Sequence, residues 1–237
     1  MSKGCSTELS EKQLVNKFTV AVLASGNGSN LQAIIDKLHR KAVDETIQVK
    51  DPDELVQARI PIIEVAIVMS DQPDARAIQR GWSAGIPTAV IPFDRYDSQE
   101  AHDVHMAAAM EDLDIDLVVL AGYMRLLHPA FVEKFADRLI NVHPALLPAF
   151  PGTCAIDDAL AYGTKVTGVT VHYVDEGVDS GPVIAQETVQ VEEGDTTETL
   201  ATRIHAVEHE LLPRVIRMIA AGKVKPPFAG SRQVRFC

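Results

Sequence analysis

Short apolar segments alternate with amphipathic segments through the first part of the chain, and this alternation constrains the fold most. Strand-like runs are predicted at 18–24, 62–69, 88–91, 117–121 and 139–142. Helical patterns lie between them, at 31–38, 75–84, 98–113 and 129–135. Because a helix between two strands carries the chain back to begin a parallel neighbour, the alternation predicts a mostly parallel sheet with helices on both faces.

The rhythm changes after Pro148. A helical pattern at 156–162 precedes two strand patterns, at 166–174 and 183–191, which a short acidic and Gly-rich connection joins. Such a connection favours antiparallel pairing. A long amphipathic helix is predicted at 197–221. We therefore expect an α/β fold with a Rossmann-like sheet over a single domain at 18–221, after a flexible leader at 1–17 and before a loosely ordered tail at 222–237.

Charge and cysteine content exclude several classes of protein. The net charge is −11, which argues against a broad nucleic-acid or membrane surface. The three cysteines are too scattered for a disulfide framework or a zinc knuckle, and the sequence shows no metal-ligand cluster. No apolar run has membrane-spanning length, and the polar leader lacks a signal-peptide core. We expect a cytoplasmic protein; the sequence leaves its oligomeric state open, a homodimer being one option.

Two polar residues end the run at 139–142. Asn141 and His143 precede Pro144, which stops further strand pairing. The carboxyl ends of buried parallel strands are where open α/β sheets bind ligands. Histidine exchanges a proton near neutral pH, and asparagine donates a hydrogen bond without titrating. Together they suit the stabilisation of an oxyanion and the transfer of a proton, although two polar residues can also simply terminate a strand.

A glycine-containing loop at 25–30 follows the first predicted strand. Gly28 permits a positive φ, so the backbone N–H groups can surround an anion at the start of the next helix, where Ser29 and Asn30 are further donors. The loop lacks the Lys of a Walker A motif and the third glycine of a dinucleotide fingerprint. It favours a phosphomonoester, with a ligand-free tight turn as the alternative.

Two further segments follow predicted strands. In the acidic loop after the strand at 166–174, Asp179 is placed to orient His143, and Asp175 is a second option; His172 is interpreted as a packed or face-lining residue. The apolar segment at 121–127 would suit a flat heteroaromatic ligand, or be an ordinary strand-to-helix loop.

These segments together resemble the phosphoribosylglycinamide formyltransferase family over nearly all of 18–221. Four motifs carry the resemblance: SGNGSNLQAII at 25–35, LAGYMRLL at 120–127, NVHPALLPAFPG at 141–152 and VTVHYVDEGVDSGPVIAQ at 169–186. The resemblance implies formyl transfer from 10-formyltetrahydrofolate, as co-substrate, to the amine of glycinamide ribonucleotide in purine biosynthesis, without a metal.

The resemblance also assigns site residues. It implies that Asn141, His143 and Asp179 are catalytic, with His143 kept cationic by Asp179, and that Asn141 also contacts the folate. The remaining residues that it implies are Gly28, Ser29 and Asn30 for the phosphate, Glu208 for the substrate amine, and Met124, Arg125, Leu126 and Leu127 for the folate.

The chain departs from the family pattern at three places. The segment at 153–158 reads TCAIDD where many members carry His and Arg, Gln99 stands where a basic residue is expected, and the excursion at 39–59 is long. None of these changes the catalytic residues, so we expect an active enzyme with altered substrate affinity.

The sequence leaves other functions open, and some of them use the same three catalytic residues. Formyltetrahydrofolate hydrolases, methionyl-tRNA formyltransferases and sugar-amine formyltransferases share the trio. The first usually has an amino-terminal regulatory domain, which we do not expect from the seventeen residues before Phe18. The second usually has a carboxyl-terminal nucleic-acid-binding domain, which we do not expect in this acidic chain. The loop at 25–30 favours a ribose phosphate over all three. A catalytically silent ligand-binding protein is the alternative of a different class.

Overall fold

The computed structural model describes residues 17–41, 61–228 and 231–237. The strands within these ranges are β1 (Lys17–Leu23), β2 (Ile62–Ser70), β3 (Thr88–Val90), β4 (Leu117–Leu120), β5 (Leu139–His143), β6 (Val166–Tyr173), β7 (Val183–Gln190), β8 (Val224–Lys225) and β9 (Arg235–Phe236). Seven of them form one sheet in the order β3-β2-β1-β4-β5-β6-β7.

The α-helices of the described residues lie between these strands. They are α1 (Ser29–Lys37), α2 (Arg76–Ser83), α3 (Gln99–Ala108), α4 (Pro129–Lys134), α5 (Ala155–Tyr162) and α6 (Thr197–Ala220). One predicted helix, at 98–113, is shorter than expected. It ends at Ala108, and a 3₁₀ turn covers Glu111–Leu113. Asp114 then takes a positive φ of 46°, which turns the chain so that Ile115 is buried ahead of β4.

The pairing of the strands confirms the predicted mixed sheet. β1 pairs in parallel with β2 and β4, and β3 and β5 extend the parallel part at its two sides. β6 pairs antiparallel with β5 and with β7. The carboxyl ends of β1, β4 and β5 therefore lie at one edge of the sheet. Because β6 runs antiparallel to β5 and Tyr173 pairs with Ile140, the turn from β6 to β7 begins beside the amino-terminal part of β5.

Alternating side chains of the strands build a core on each face of the sheet. In β1, Val20 and Val22 face one core, whereas Ala21 and Leu23 face the other. Helices α1, α2, α5 and α6 contribute apolar residues to the first core, and α3 and α4 contribute to the second. The sheet is thus covered on both faces, as the alternation predicts.

Some predictions fall outside the described residues. The flexible leader lies outside them except for Lys17, which begins β1, and so does the predicted excursion from residue 42 onward. In the tail, β8 and β9 pair antiparallel. The division into leader, domain and tail stays a prediction. Within the described ranges, no helix combines the length and apolarity needed to cross a membrane.

Candidate active site

The polar residues predicted from the ends of β5 and of β6 lie together. Asp179 Oδ2 is 3.3 Å from His143 Nδ1, and the Asn141 side-chain amide donates to Asp179 Oδ1 at 3.3 Å. His143 is buried, and only 13% of the Asp179 side chain is exposed. The arrangement places one carboxylate between an imidazole and an amide at the carboxyl end of a buried strand.

Asp175, the second option for the carboxylate, is engaged within its own loop. Its Oδ1 accepts hydrogen bonds from Ser180 Oγ at 2.6 Å and from the Gly177 N–H at 3.1 Å. These bonds hold the turn in which Asp179 takes a positive φ of 48°. Asp175 therefore shapes the loop, and Asp179 contacts the histidine.

A second histidine completes the cluster, and sequence reasoning did not place it there. His172 is buried as expected, and its Nε2 lies 3.3 Å from Asn141 Nδ2 and 3.6 Å from Asp179 Oδ1. Its Nδ1 lies 2.7 Å from the Tyr173 carbonyl oxygen, which can only accept, so Nδ1 carries a proton. The register of β5 and β6, which pairs Asn141 with His172, is the signal that could have identified it.

The backbone after β5 also contributes. The Phe150 carbonyl oxygen accepts from His143 Nε2 at 2.8 Å, and the Gly152 N–H donates to Asp179 Oδ2 at 2.8 Å. Phe150 has a positive φ of 50°, which is uncommon for an aromatic residue and costs energy. This strained turn brings both groups against the imidazole and the carboxylate.

The surroundings of His143 act on its pKa in opposite directions. Burial lowers the pKa of His143 below its usual value, and this effect outweighs the Asp179 carboxylate and the Phe150 carbonyl, which raise it. Burial raises the pKa of Asp179, but the nearby His172, the hydrogen bond from the Gly152 N–H and the neighbouring His143 together lower it by more, so the net shift is downward. Burial therefore opposes the predicted cationic form of His143, whereas the acceptor oxygens at its two ring nitrogens, from Phe150 and Asp179, favour it.

The loop after β1 has the backbone conformation that the sequence predicts. Gly28 lies in the left-handed region at φ 72° just before α1, and a Cβ there would come within 2.7 Å of Ala77 Cα. Arg80 braces the loop from α2: its Nε donates to the Asn27 carbonyl at 2.8 Å and another guanidinium nitrogen donates to Asn27 Oδ1 at 3.0 Å. Ser29 then begins α1, so free N–H groups of the helix start face the edge at which the strands end.

Asn30 and Glu208 meet at the start of α1, although they are far apart in the sequence. Asn30 Nδ2 donates to Glu208 Oε2 at 2.8 Å, and both residues are buried. Burial raises the pKa of Glu208 to about 7, against the lowering effect of the Asn30 hydrogen bond. Among the described residues, the buried Asn30 Oδ1 has no hydrogen-bond partner. The pair therefore offers one free acceptor and one carboxyl that titrates near neutral pH.

The segment after β4 presents apolar side chains to solvent. Met124 and Leu126 are 63% and 64% exposed, whereas Leu127 is partly buried and packs against the core. The Arg125 guanidinium stacks over the Phe93 ring at 3.4 Å. Exposed apolar side chains at the edge where strands end suit contact with an apolar ligand.

The acidic pair at 157–158 has a structural role. Both carboxylates lie in the first turn of α5, where a negative charge is favourable. Asp157 Oδ1 also accepts from Thr197 Oγ1 of α6 at 2.6 Å. Within the ranges that the structure describes, no group of three His, Cys, Asp or Glu side chains could hold a metal ion.

Known proteins share this sequence and fold. Residues 18–216 match the family model described as formyl transferase. The chain is 38% identical over 199 residues to phosphoribosylglycinamide formyltransferase of Bacillus subtilis, covering 84% of this chain and 93% of the relative. It is 39% identical over 209 residues to the bovine trifunctional purine biosynthetic protein adenosine-3, covering 88% of this chain but 19% of that protein.

A solved structure shows the same similarity of sequence and fold. Glycinamide ribonucleotide transformylase 1 from Symbiobacterium toebii superposes with a TM-score of 0.79 and 41% identity, over 93% of this chain and 94% of that one. The chain belongs to the formyl transferase family.

Proposed function

We propose that the protein transfers the formyl group of 10-formyltetrahydrofolate to the amine of glycinamide ribonucleotide in de novo purine biosynthesis. One observation carries the proposal: the cluster of Asn141, His143 and Asp179 opens at the same sheet edge as the anion-binding loop at 28–30. Membership of the formyl transferase family implies a formyl acceptor, and the loop at the start of α1 favours an acceptor amine that carries a phosphate.

The reaction needs charge stabilisation and no net uptake of protons. The amine nitrogen attacks the formyl carbon, and the carbonyl electron pair moves to the formyl oxygen. The amine then loses one proton, the bond from carbon to N10 of the folate breaks, and N10 gains one proton. A donor aimed at the oxygen stabilises the tetrahedral intermediate, and a group that exchanges protons assists both transfers.

Asn141 and His143 supply these functions. Among the residues that the structure describes, the Asn141 amide nitrogen makes two long contacts, 3.3 Å to His172 Nε2 and to Asp179 Oδ1, which a negatively charged oxygen can displace. A second proton on His143 would be held at Nδ1 by Asp179 while Nε2 stays bonded to Phe150. The developing oxyanion favours that protonation, so the cationic imidazole becomes more stable as the charge forms.

The two substrates occupy different parts of the edge. Gly28, Ser29 and Asn30 bind the phosphate of the ribonucleotide, and Glu208, with the free Asn30 Oδ1, binds a donor group of the same substrate. Met124, Arg125, Leu126 and Leu127, with Asn141, line the folate side. The formyl group then lies between them, beside the catalytic residues.

Replacing Asn30 by Ala should raise KM for glycinamide ribonucleotide roughly tenfold and leave KM for the folate nearly unchanged, since a buried hydrogen-bonding partner of one substrate is lost. Steady-state kinetics with each substrate varied in turn measures both constants. An equal rise in both KM values would count against a ribonucleotide site at 28–30.

Absorbance-monitored release of the deformylated folate, with and without glycinamide ribonucleotide, tests the proposed function. We expect release only when the ribonucleotide is present. Release without it would indicate a hydrolase, and binding of both ligands without release would indicate a silent relative; either result would overturn the proposal.

A further inference from the structure

Helix α3 holds the backbone of the segment at 124–128, which contains the exposed Met124 and Leu126. Gln99 Nε2 donates to the Leu126 carbonyl oxygen at 2.5 Å, and the His128 N–H donates to Asp103 Oδ2 at 2.6 Å. Gln99 and Asp103 are four positions apart, so both side chains lie on one face of the helix. The two hydrogen bonds fix the backbone of this segment at two points.

Asp103 is itself held rigidly. It is buried, and its Oδ1 lies 2.7 Å from Nδ1 of the fully buried His102. The other ring nitrogen of His102 lies 2.9 Å from the Ile91 carbonyl oxygen, next to the end of β3. Both carboxylate oxygens therefore have partners, so the side chain cannot rotate without losing a buried hydrogen bond.

The amino end of the segment is fixed as well. The Met124 N–H donates to Ser25 Oγ at 3.0 Å, and that hydroxyl donates to Asp71 Oδ1 at 2.6 Å. A fixed backbone under two exposed apolar side chains has already lost the conformational freedom that ligand binding would otherwise remove.

We propose that Gln99 and Asp103 are positioning residues for the segment at 124–128 and, through it, for the folate co-substrate. This inference rests on the proposed function. Gln99 stands where the family pattern leads us to expect a basic residue, and in this chain its amide is directed to the Leu126 carbonyl. Gln99 thus keeps a hydrogen-bond donor at this position, and it holds the segment at 124–128, which contacts the folate in the proposed complex.

Gln99→Met tests the proposal, because methionine has a similar length, forms helices well and has no donor or charge. We expect KM for 10-formyltetrahydrofolate to rise roughly fivefold, the effect of one net hydrogen bond, with kcat and KM for glycinamide ribonucleotide nearly unchanged. Val104→Met, at an exposed position of the same helix, is the matched control and should change none of these constants. Gln99→Arg restores a donor and should return KM for the folate toward the wild-type value.

Hydrogen exchange of the peptide at 124–128 gives a second readout without turnover. Exchange should be faster in Gln99→Met and in Asp103→Asn than in the wild type, and unchanged in Val104→Met. Normal exchange and normal folate KM in Gln99→Met, or an equal rise in both KM values, would overturn the proposal. A wild-type protein without formyl transfer would overturn the proposed function instead, and the exchange comparison would still decide whether Gln99 holds the segment.

Discussion

Replacing Asp179 by Asn should lower kcat for formyl transfer by about 10²- to 10³-fold, within the range that general acid–base catalysis contributes. The oxygen of an amide carries no full negative charge, so it stabilises a second proton on His143 Nδ1, which lies 3.3 Å from Asp179 Oδ2, much less than the carboxylate does. Since the carboxylate raises the pKa of His143, its removal should also move the imidazole titration to lower pH. Steady-state kinetics and an NMR titration of the histidines measure the two effects.

Asp175→Asn is the matched control, because this residue lies in the same loop and bonds Ser180 and Gly177 instead of the imidazole. We expect its kcat to stay within a few-fold of the wild type, because asparagine keeps an oxygen that can accept both hydrogen bonds. The thermal unfolding of both variants should remain cooperative. A near-normal kcat in Asp179→Asn, or equal losses in the two variants, would contradict the role given to Asp179.

Replacing Glu208 by Gln should stabilise the protein at alkaline pH by about 3 kcal/mol and leave its stability nearly unchanged at acidic pH. The pKa of Glu208 is raised from 4.5 to about 7 by burial, so the folded protein holds a proton that the unfolded chain releases more easily. Below pH 4.5 the carboxyl of Glu208 does not lower the free energy of unfolding. Its ionisation lowers that free energy increasingly as the pH rises toward 7, and the effect is complete above that value. Glutamine keeps an acceptor for Asn30 and cannot ionise.

Urea unfolding at about pH 5 and at about pH 8.5 measures the difference in the free energy of unfolding. Glu210→Gln is the control: Glu210 lies on the same helix but is exposed and paired with Lys37, so it should give no gain at either pH. Equal effects of Glu208→Gln at both pH values would mean that Glu208 is already ionised in the folded protein. The same variant should raise KM for glycinamide ribonucleotide, because the carboxyl contacts that substrate in the proposed complex.

The local pattern was sufficient to predict most elements. The apolar runs located the strands to within one or two residues, because burial on both faces requires continuous apolar sequence. One permissive position was also visible: Gly28 predicts the left-handed turn before α1, and the structure has it. Asn141 and His143 could be placed at the end of β5 because Pro144 limits that strand.

The contacts that the sequence did not reveal are non-local. His172 joins the cluster through the register of β5 and β6, and periodicity within one strand carries no information about register. The Phe150 carbonyl and the Gly152 N–H are backbone groups whose direction depends on a positive φ at Phe150. The direction of the His143 pKa shift depends on how deeply the ring is buried, which outweighs the carboxylate that the sequence made visible.

The fate of a labelled formyl group tests the central claim most directly. The protein would be incubated with 10-formyltetrahydrofolate that carries ¹⁴C in the formyl group, together with glycinamide ribonucleotide, and the products separated. We predict that the label leaves the folate and appears in the formylated ribonucleotide. Label that appears as free formate, or that stays on the folate while both ligands are bound, would contradict the account.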